Sequence, residues 1–207
     1  MSDSRLELHA VRLPRGTLGN LTLEFPPGVH LLTGPNGIGK TSLLNAIAGS
    51  LPLVSGEIHF GGKILERAAR VVLAPNVPPD IPWIRSGLLL EFIASLYPAT
   101  RRDAATAQSI VDELGVTPFL GAPLGTLSAG TARKLLLAAA LIAAPPVMLF
   151  DEPTNDIDAA SSACFIERIR GAAQRSVVLI TTHHTADLDA LAPRVLPLHV
   201  PAGTPPA

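Results

Sequence analysis

The stretch Gly34-Pro35-Asn36-Gly37-Ile38-Gly39-Lys40-Thr41 constrains this chain more than any other. A short apolar run, Val29-His30-Leu31-Leu32-Thr33, leads into it as a strand. Residues 42–49 follow with apolar side chains at helical spacing until Gly49 stops the helix. In such a strand–loop–helix unit the glycines let backbone N–H groups turn inward, and the helix beginning near Gly39 points its positive end at the same place. A triphosphate is the natural occupant. Lys40 is expected to reach its β- and γ-phosphates, and the Thr41 hydroxyl to sit on Mg²⁺, with Ser42 next in line. The bland alternative, a chance match in a glycine-rich turn, leaves the flanking strand and helix unexplained.

With 207 residues, 47% hydrophobic and 16% charged, the chain fits one compact α/β domain with at most a small subdomain. The balance of 16 Lys+Arg against 17 Asp+Glu gives a net charge of −1 and points away from nucleic acid as a partner. A single cysteine, Cys164, forms no internal disulfide and is read as a buried small hydrophobe. No basic segment followed by an apolar core opens the chain, so a cytoplasmic compartment is the default expectation. The mean hydropathy of +0.37 raises the question of a membrane span. The longest apolar stretch, residues 135–150, is split by Pro145 and Pro146 into a helix and a strand.

Further along, Leu6/Leu8/Ala10 and Leu21/Leu23/Phe25 alternate as half-buried antiparallel strands do. Val147-Met148-Leu149-Phe150 reads as a buried parallel strand, expected beside the loop strand, and ends in Asp151-Glu152. Asp151 is placed there to hold Mg²⁺ through water, and Glu152 to polarise the water that attacks the γ-phosphate. Between loop and acidic strand, Leu127-Ser128-Ala129-Gly130-Thr131 opens a helix. This turn reads either as a second anion site or as an ordinary serine N-cap.

Taken in order, these segments resemble the nucleotide-binding domain of ATP-binding cassette (ABC) proteins, from about residue 6 to residue 198. Residues 34–41 are similar to the Walker A motif, 127–131 to the family signature, and 147–152 to Walker B with its catalytic glutamate. Residues 154–158 resemble the D-loop, and Thr182-His183 the switch histidine. The resemblance implies a P-loop α/β fold: a RecA-like core sheet, an N-terminal antiparallel β subdomain and a small helical subdomain over about residues 77–127. It implies ATP and Mg²⁺ as cofactors, with residues 34–42 (Gly34, Pro35, Asn36, Gly37, Ile38, Gly39, Lys40, Thr41, Ser42) around the nucleotide. Thr41, Asp151 and Asn76 would serve the metal, and Glu152 and His183 catalysis. It also implies a head-to-tail dimer, read as a homodimer with a different second cassette left open, in which Ser128, Gly130 and Thr131 of one subunit meet the ATP of the other and Asp158 lines the interface. No role is assigned to His184.

Three departures from the family pattern stand out. Asn76 takes the place of the usual Q-loop glutamine, one methylene shorter; Ala129 and Thr131 replace Gly and Gln in the signature; and residues 12–15 offer no aromatic ring for adenine. The chain carries no long coiled coil or second cassette, which favours the ATPase subunit of a membrane transporter over a soluble non-transport assembly. It would be peripheral to the cytoplasmic face of the inner membrane and bound to an integral membrane subunit. Trp83, Ile81 and Ile84 are the expected contact, with Trp83 equally readable as packing of the helical subdomain. The short chain and the Leu-Ser-Ala-Gly start of the signature also resemble the haem-exporter ATPase of cytochrome c maturation, although residues 155–158 do not discriminate. Cargo and direction stay open. A short strand is expected over residues 195–200, then a Pro-rich tail over 201–207 without a C-terminal regulatory domain.

Overall fold

The computed structural model describes residues 4–15, 17–183 and 185–199; His184, Val200 and the tail lie outside them. Alternating apolar residues build the first sheet, which is antiparallel with strand order β2-β1-β4-β5. Its strands are β1 (Leu6–Arg12), β2 (Leu21–Phe25), β4 (Ser55–Phe60) and β5 (Lys63–Ile64). Continuous apolar runs build the second, parallel sheet, in the order β6-β7-β8-β3-β9. It comprises β3 (Gly28–Thr33), β6 (Val71–Ala74), β7 (Val147–Asp151), β8 (Val177–Thr181) and β9 (Arg194–Pro197).

The order of the parallel sheet corrects one expectation. β7 does not lie beside β3, because β8 sits between them, pairing Val147↔Val177 through Asp151↔Thr181 on one side and Gly28↔Val177 through Leu32↔Thr181 on the other. All five residues of β8 are buried, and such a strand belongs where both edges and both faces are covered. The period of two then divides the sheet's side chains between two cores. Met148, Phe150, Val178 and Ile180 face the helical side. Val147, Leu149, Val177 and Leu179 face α1 (Lys40–Ala48) and the antiparallel sheet.

The helical side holds α2 (Ser86–Ser95), α3 (Ala104–Glu113), α4 (Ala129–Ala143) and α5 (Ala159–Ala172). Most of α4 is buried, from Ala132 to Ala143 with only Lys134 partly out, so it serves as the axis of this half. It ends at Ala144, which takes a φ of 43° ahead of the two prolines; their rings forbid another helical turn and release the chain into β7. Cys164 departs from its sequence reading as a buried hydrophobe. It is only partly buried, and its thiol donates to Glu113 Oε2 at 3.2 Å. Burial and that carboxylate push the thiol up to about 11.

Candidate active site

The loop between β3 and α1 carries its glycines in conformations that other residues avoid. Gly34 has a φ of 147°, and a Cβ there would stand 2.8 Å from the carbonyl oxygen of Leu198. Ile38 anchors the loop by burying its side chain in the core with Leu43 and Leu44, so only its backbone is left for a ligand. Pro35 has no N–H to offer. Its carbonyl oxygen and that of Gly34 instead accept from Lys40 Nζ, at 3.2 and 2.7 Å. The lysine, 7% exposed, is thus folded over the loop that it would otherwise serve.

Asp151, at the end of β7, reaches across β8 to the start of α1. Thr41 Oγ1 donates to its Oδ2 at 3.0 Å and lies 3.1 Å from Oδ1, while Thr181 Oγ1, at the end of β8, donates to Oδ1 at 2.6 Å. A hydroxyl and a carboxylate converging at this spacing form a set of hard oxygen donors, the chemistry that Mg²⁺ requires and softer ions do not. The residues fit the ion and a triphosphate held at the helix start.

Glu152 follows in a strained backbone, with φ at 52°, a conformation that costs a non-glycine residue about 1–3 kcal/mol. Two contacts of its own N–H hold it there, to Thr181 O at 3.1 Å and Thr181 Oγ1 at 3.2 Å. The buried carboxylate is turned to the segment after β8: Oε2 accepts from the His183 N–H at 3.2 Å, and Oε1 lies 3.2 Å from His183 Nε2. Glu152 and His183, 31 residues apart, therefore meet.

The residue that sequence reasoning missed is Arg133, on the first turns of α4 and 7% exposed. Its Nη1 donates to the carbonyl oxygens of Glu152 at 3.0 Å and Asp151 at 3.3 Å; its Nη2 donates to Asn76 Oδ1 at 2.6 Å. One guanidinium thus ties the Q-loop asparagine to the backbone of the acidic pair, and burial lowers its pKa from the ordinary arginine value. An arginine two residues past the signature segment, inside a helix of otherwise apolar buried residues, was the available signal.

The signature serves the fold as well. Ser128 is the N-cap of α4, accepting from the Thr131 N–H at 3.2 Å, and its hydroxyl meets Thr131 Oγ1 at 2.8 Å. Gly130 lies so close to the D-loop that a Cβ would stand 2.2 Å from Asp156 O. Asp158 caps α5, accepting from the Ser161 N–H at 2.9 Å, and pairs with Lys134 at 3.0 Å; these contacts hold its carboxyl below the usual range. Ser128 itself is exposed. At residues 12–15, Leu13 is turned into the core, leaving Pro14 and Arg15 exposed where an aromatic was missed.

Trp83 does not pack the helical subdomain: it is 76% exposed. Ile81 and Ile84 beside it do pack against that core. Val77 is exposed too, as is a stripe spaced i, i+4, i+8 that runs along α2 from Leu88 and Phe92 to Leu96, the residue that caps it. The Trp83 segment is sewn to the chain just before the signature. Gly125 N donates to Pro82 O at 2.9 Å, Leu124 N to Ile84 O at 2.8 Å, Ser86 N to Ala122 O at 3.0 Å and Gly87 N to Leu120 O at 2.8 Å.

Residues 18–155 match the family model described as ABC transporter. The chain belongs to the ABC transporter family. Among relatives, the zinc transport system ATP-binding protein TroB of Treponema pallidum is 33% identical over 88% of this chain and 73% of its own length. The cytochrome c biogenesis ATP-binding export protein CcmA of Cereibacter sphaeroides is 34% identical over 86% of this chain and 81% of its own. A solved ATP-binding subunit of an ABC transporter superposes with a TM-score of 0.82 at 20% identity, covering 94% of this chain and 85% of that one, which establishes the fold. This ABC transporter chain is an ATP-binding ATPase subunit. Among the described residues no helix is long and apolar enough to cross a membrane.

Proposed function

We propose that this subunit drives a membrane transporter from the cytoplasmic face of the cell membrane, in a head-to-tail pair of identical chains with Mg²⁺ as the working ion. The observation that carries the reading is the Thr41–Asp151–Thr181 cluster closed beside the Glu152–His183 pair. Bound MgATP supplies a γ-phosphoryl group for transfer to water. Lys40 would exchange its two loop carbonyls for β- and γ-phosphate oxygens, Thr41 and Asp151 would hold the metal, and the N–H groups of residues 36–42 would line the phosphates. Glu152 accepts the proton of the attacking water, while His183 orients that water and contacts the γ-phosphate. Asn76, held by Arg133, would offer its amide on the metal's side of the site. Ser128, Gly130 and Thr131 face the nucleotide of the second subunit, and Asp158 lines the seam. Exposed Trp83, Val77 and the Leu88–Phe92–Leu96 stripe form the surface for the membrane subunit.

The test is a tagged Glu152→Gln chain extracted from native membranes in mild detergent with MgATP. An integral membrane protein recovered in comparable amount supports the reading, and soluble proteins alone overturn its transporter half. Light scattering of the same variant reads the other half, because a chain that stays monomeric in MgATP overturns the pair.

A further inference from the structure

The antiparallel sheet has two faces of opposite character. Leu6, Leu8 and Val11 of β1 and Ile58 of β4 bury one of them with Leu43, Leu44 and Ile47 of α1. Strand alternation then sends Glu7, His9, Glu57 and His59 to the other face, away from the nucleotide loop. The register sets Glu7 opposite His59 and His9 opposite Glu57. The two imidazoles meet edge to face on the diagonal, with ring centroids 4.6 Å apart. His59 Nε2 lies 2.9 Å from Glu57 Oε2, and His9 Nε2 lies 3.9 Å from Glu7 Oε2. One ligand atom each from Glu7, His9 and His59 lies within 4.8 Å of the others.

We infer that this face binds one divalent transition-metal ion of the zinc type, held by His9, His59 and Glu7, with Glu57 or water in the fourth position. Imidazole nitrogens with a carboxylate oxygen are the donor set that zinc, copper and nickel prefer, whereas Mg²⁺ and Ca²⁺ call for oxygen alone. A tetrahedral zinc with bonds near 2.1 Å needs donors roughly 3.4 Å apart, so the three groups must close by about an ångström. Rotation of the exposed His9 and the partly exposed Glu7 and His59 side chains provides that closure without moving the strands. As separate surface contacts the His–Glu pairs stabilise little. As ligands they cross-link β1 to β4 directly above the core that seats α1.

The experiment is calorimetric titration of the chelator-stripped full chain with ZnCl₂ in saturating MgCl₂, alongside thermal melting and the electron paramagnetic resonance of bound Cu²⁺. The expected results are one zinc per chain, a melting temperature that rises with zinc, and coupling of copper to two imidazole nitrogens. His9→Asn and His59→Asn should each weaken zinc binding by more than about 100-fold, beyond the effect of losing an outer-shell partner. MgATP binding by these variants should stay unchanged. No measurable zinc binding, or binding undiminished in the double variant, overturns the site. Copper in the unmodified chain without imidazole coupling overturns it independently of how the variants fold.

Discussion

The Thr41–Asp151 cluster and the turn at Ser128, the two regions proposed above to meet phosphate, differ in how their polar groups are satisfied. In the first, Asp151 is buried, gathers hydroxyls from α1 and β8, and leaves its oxygens converged on one point. In the second, Ser128 spends its hydroxyl on its own helix, Gly130 is pressed against Asp156 O, and the turn faces outward. The first is assembled by one chain from distant strands. The second is a presented edge, held by its own helix and by the close approach of Asp156.

The sharpest way to break this contrast is Glu152→Gln. Steady-state ATPase should fall by about 10²–10⁴-fold while ATP binding persists; an unchanged rate would mean that the buried acidic end of β7 is not the hydrolytic side. Next in size, Gly130→Ala must push the D-loop aside, at about 1–3 kcal/mol in urea unfolding. If the signature is a presented edge, this variant also loses transport-coupled ATPase while nucleotide affinity of the isolated chain is kept; retained activity would separate the turn from turnover. Arg133→Met links the two regions. It strips partners from Asn76 and two backbone carbonyls and should cost about 1–3 kcal/mol, and Arg133→Lys should restore neither stability nor turnover, because an ammonium cannot span the fork. Asn76→Gln should preserve or raise turnover in the assembled complex, whereas a collapse would show the loop to be fitted to asparagine.

The smallest effect concerns acid. Arg168 and Ser109 hydrogen bonds hold the Glu113 carboxyl down from 4.5 to about 2. A depressed folded-state pKa contributes stability above the unfolded value and loses it as pH falls toward the folded one. The α3–α5 clamp should therefore weaken between pH 4.5 and about 2, a dependence that Glu113→Gln removes; urea midpoints across that window are the check.

What the sequence made legible was local. Strand, loop and helix around Gly34 to Thr41 are contiguous, and the Asp151-Glu152 pair ends a run of four apolar residues, so their placement follows from periodicity. The position of β8 between β3 and β7 was not legible, since two apolar strands of equal character cannot be ordered by pattern alone. Arg133 was hidden for a related reason: its three partners come from segments 18 to 57 residues away. Trp83 was balanced between packing and exposure, and only tertiary structure decided it. Ser128 shows the opposite case: the structure shows the cap, and because the residue stays exposed the cap leaves room for the proposed ligand contact.

The ladder of backbone bonds that runs from Pro82 to Gly87 against residues 120–125 has a mechanical consequence. A force applied at Trp83 reaches Leu127 through amide contacts, without passing through the sheet or the nucleotide loop. Load from a docked partner would thus arrive at the head of α4 as a displacement of the whole turn. Further along the same helix Arg133 holds the backbone of the acidic pair, so Ser128 and the Glu152 carbonyl are tied to one rod.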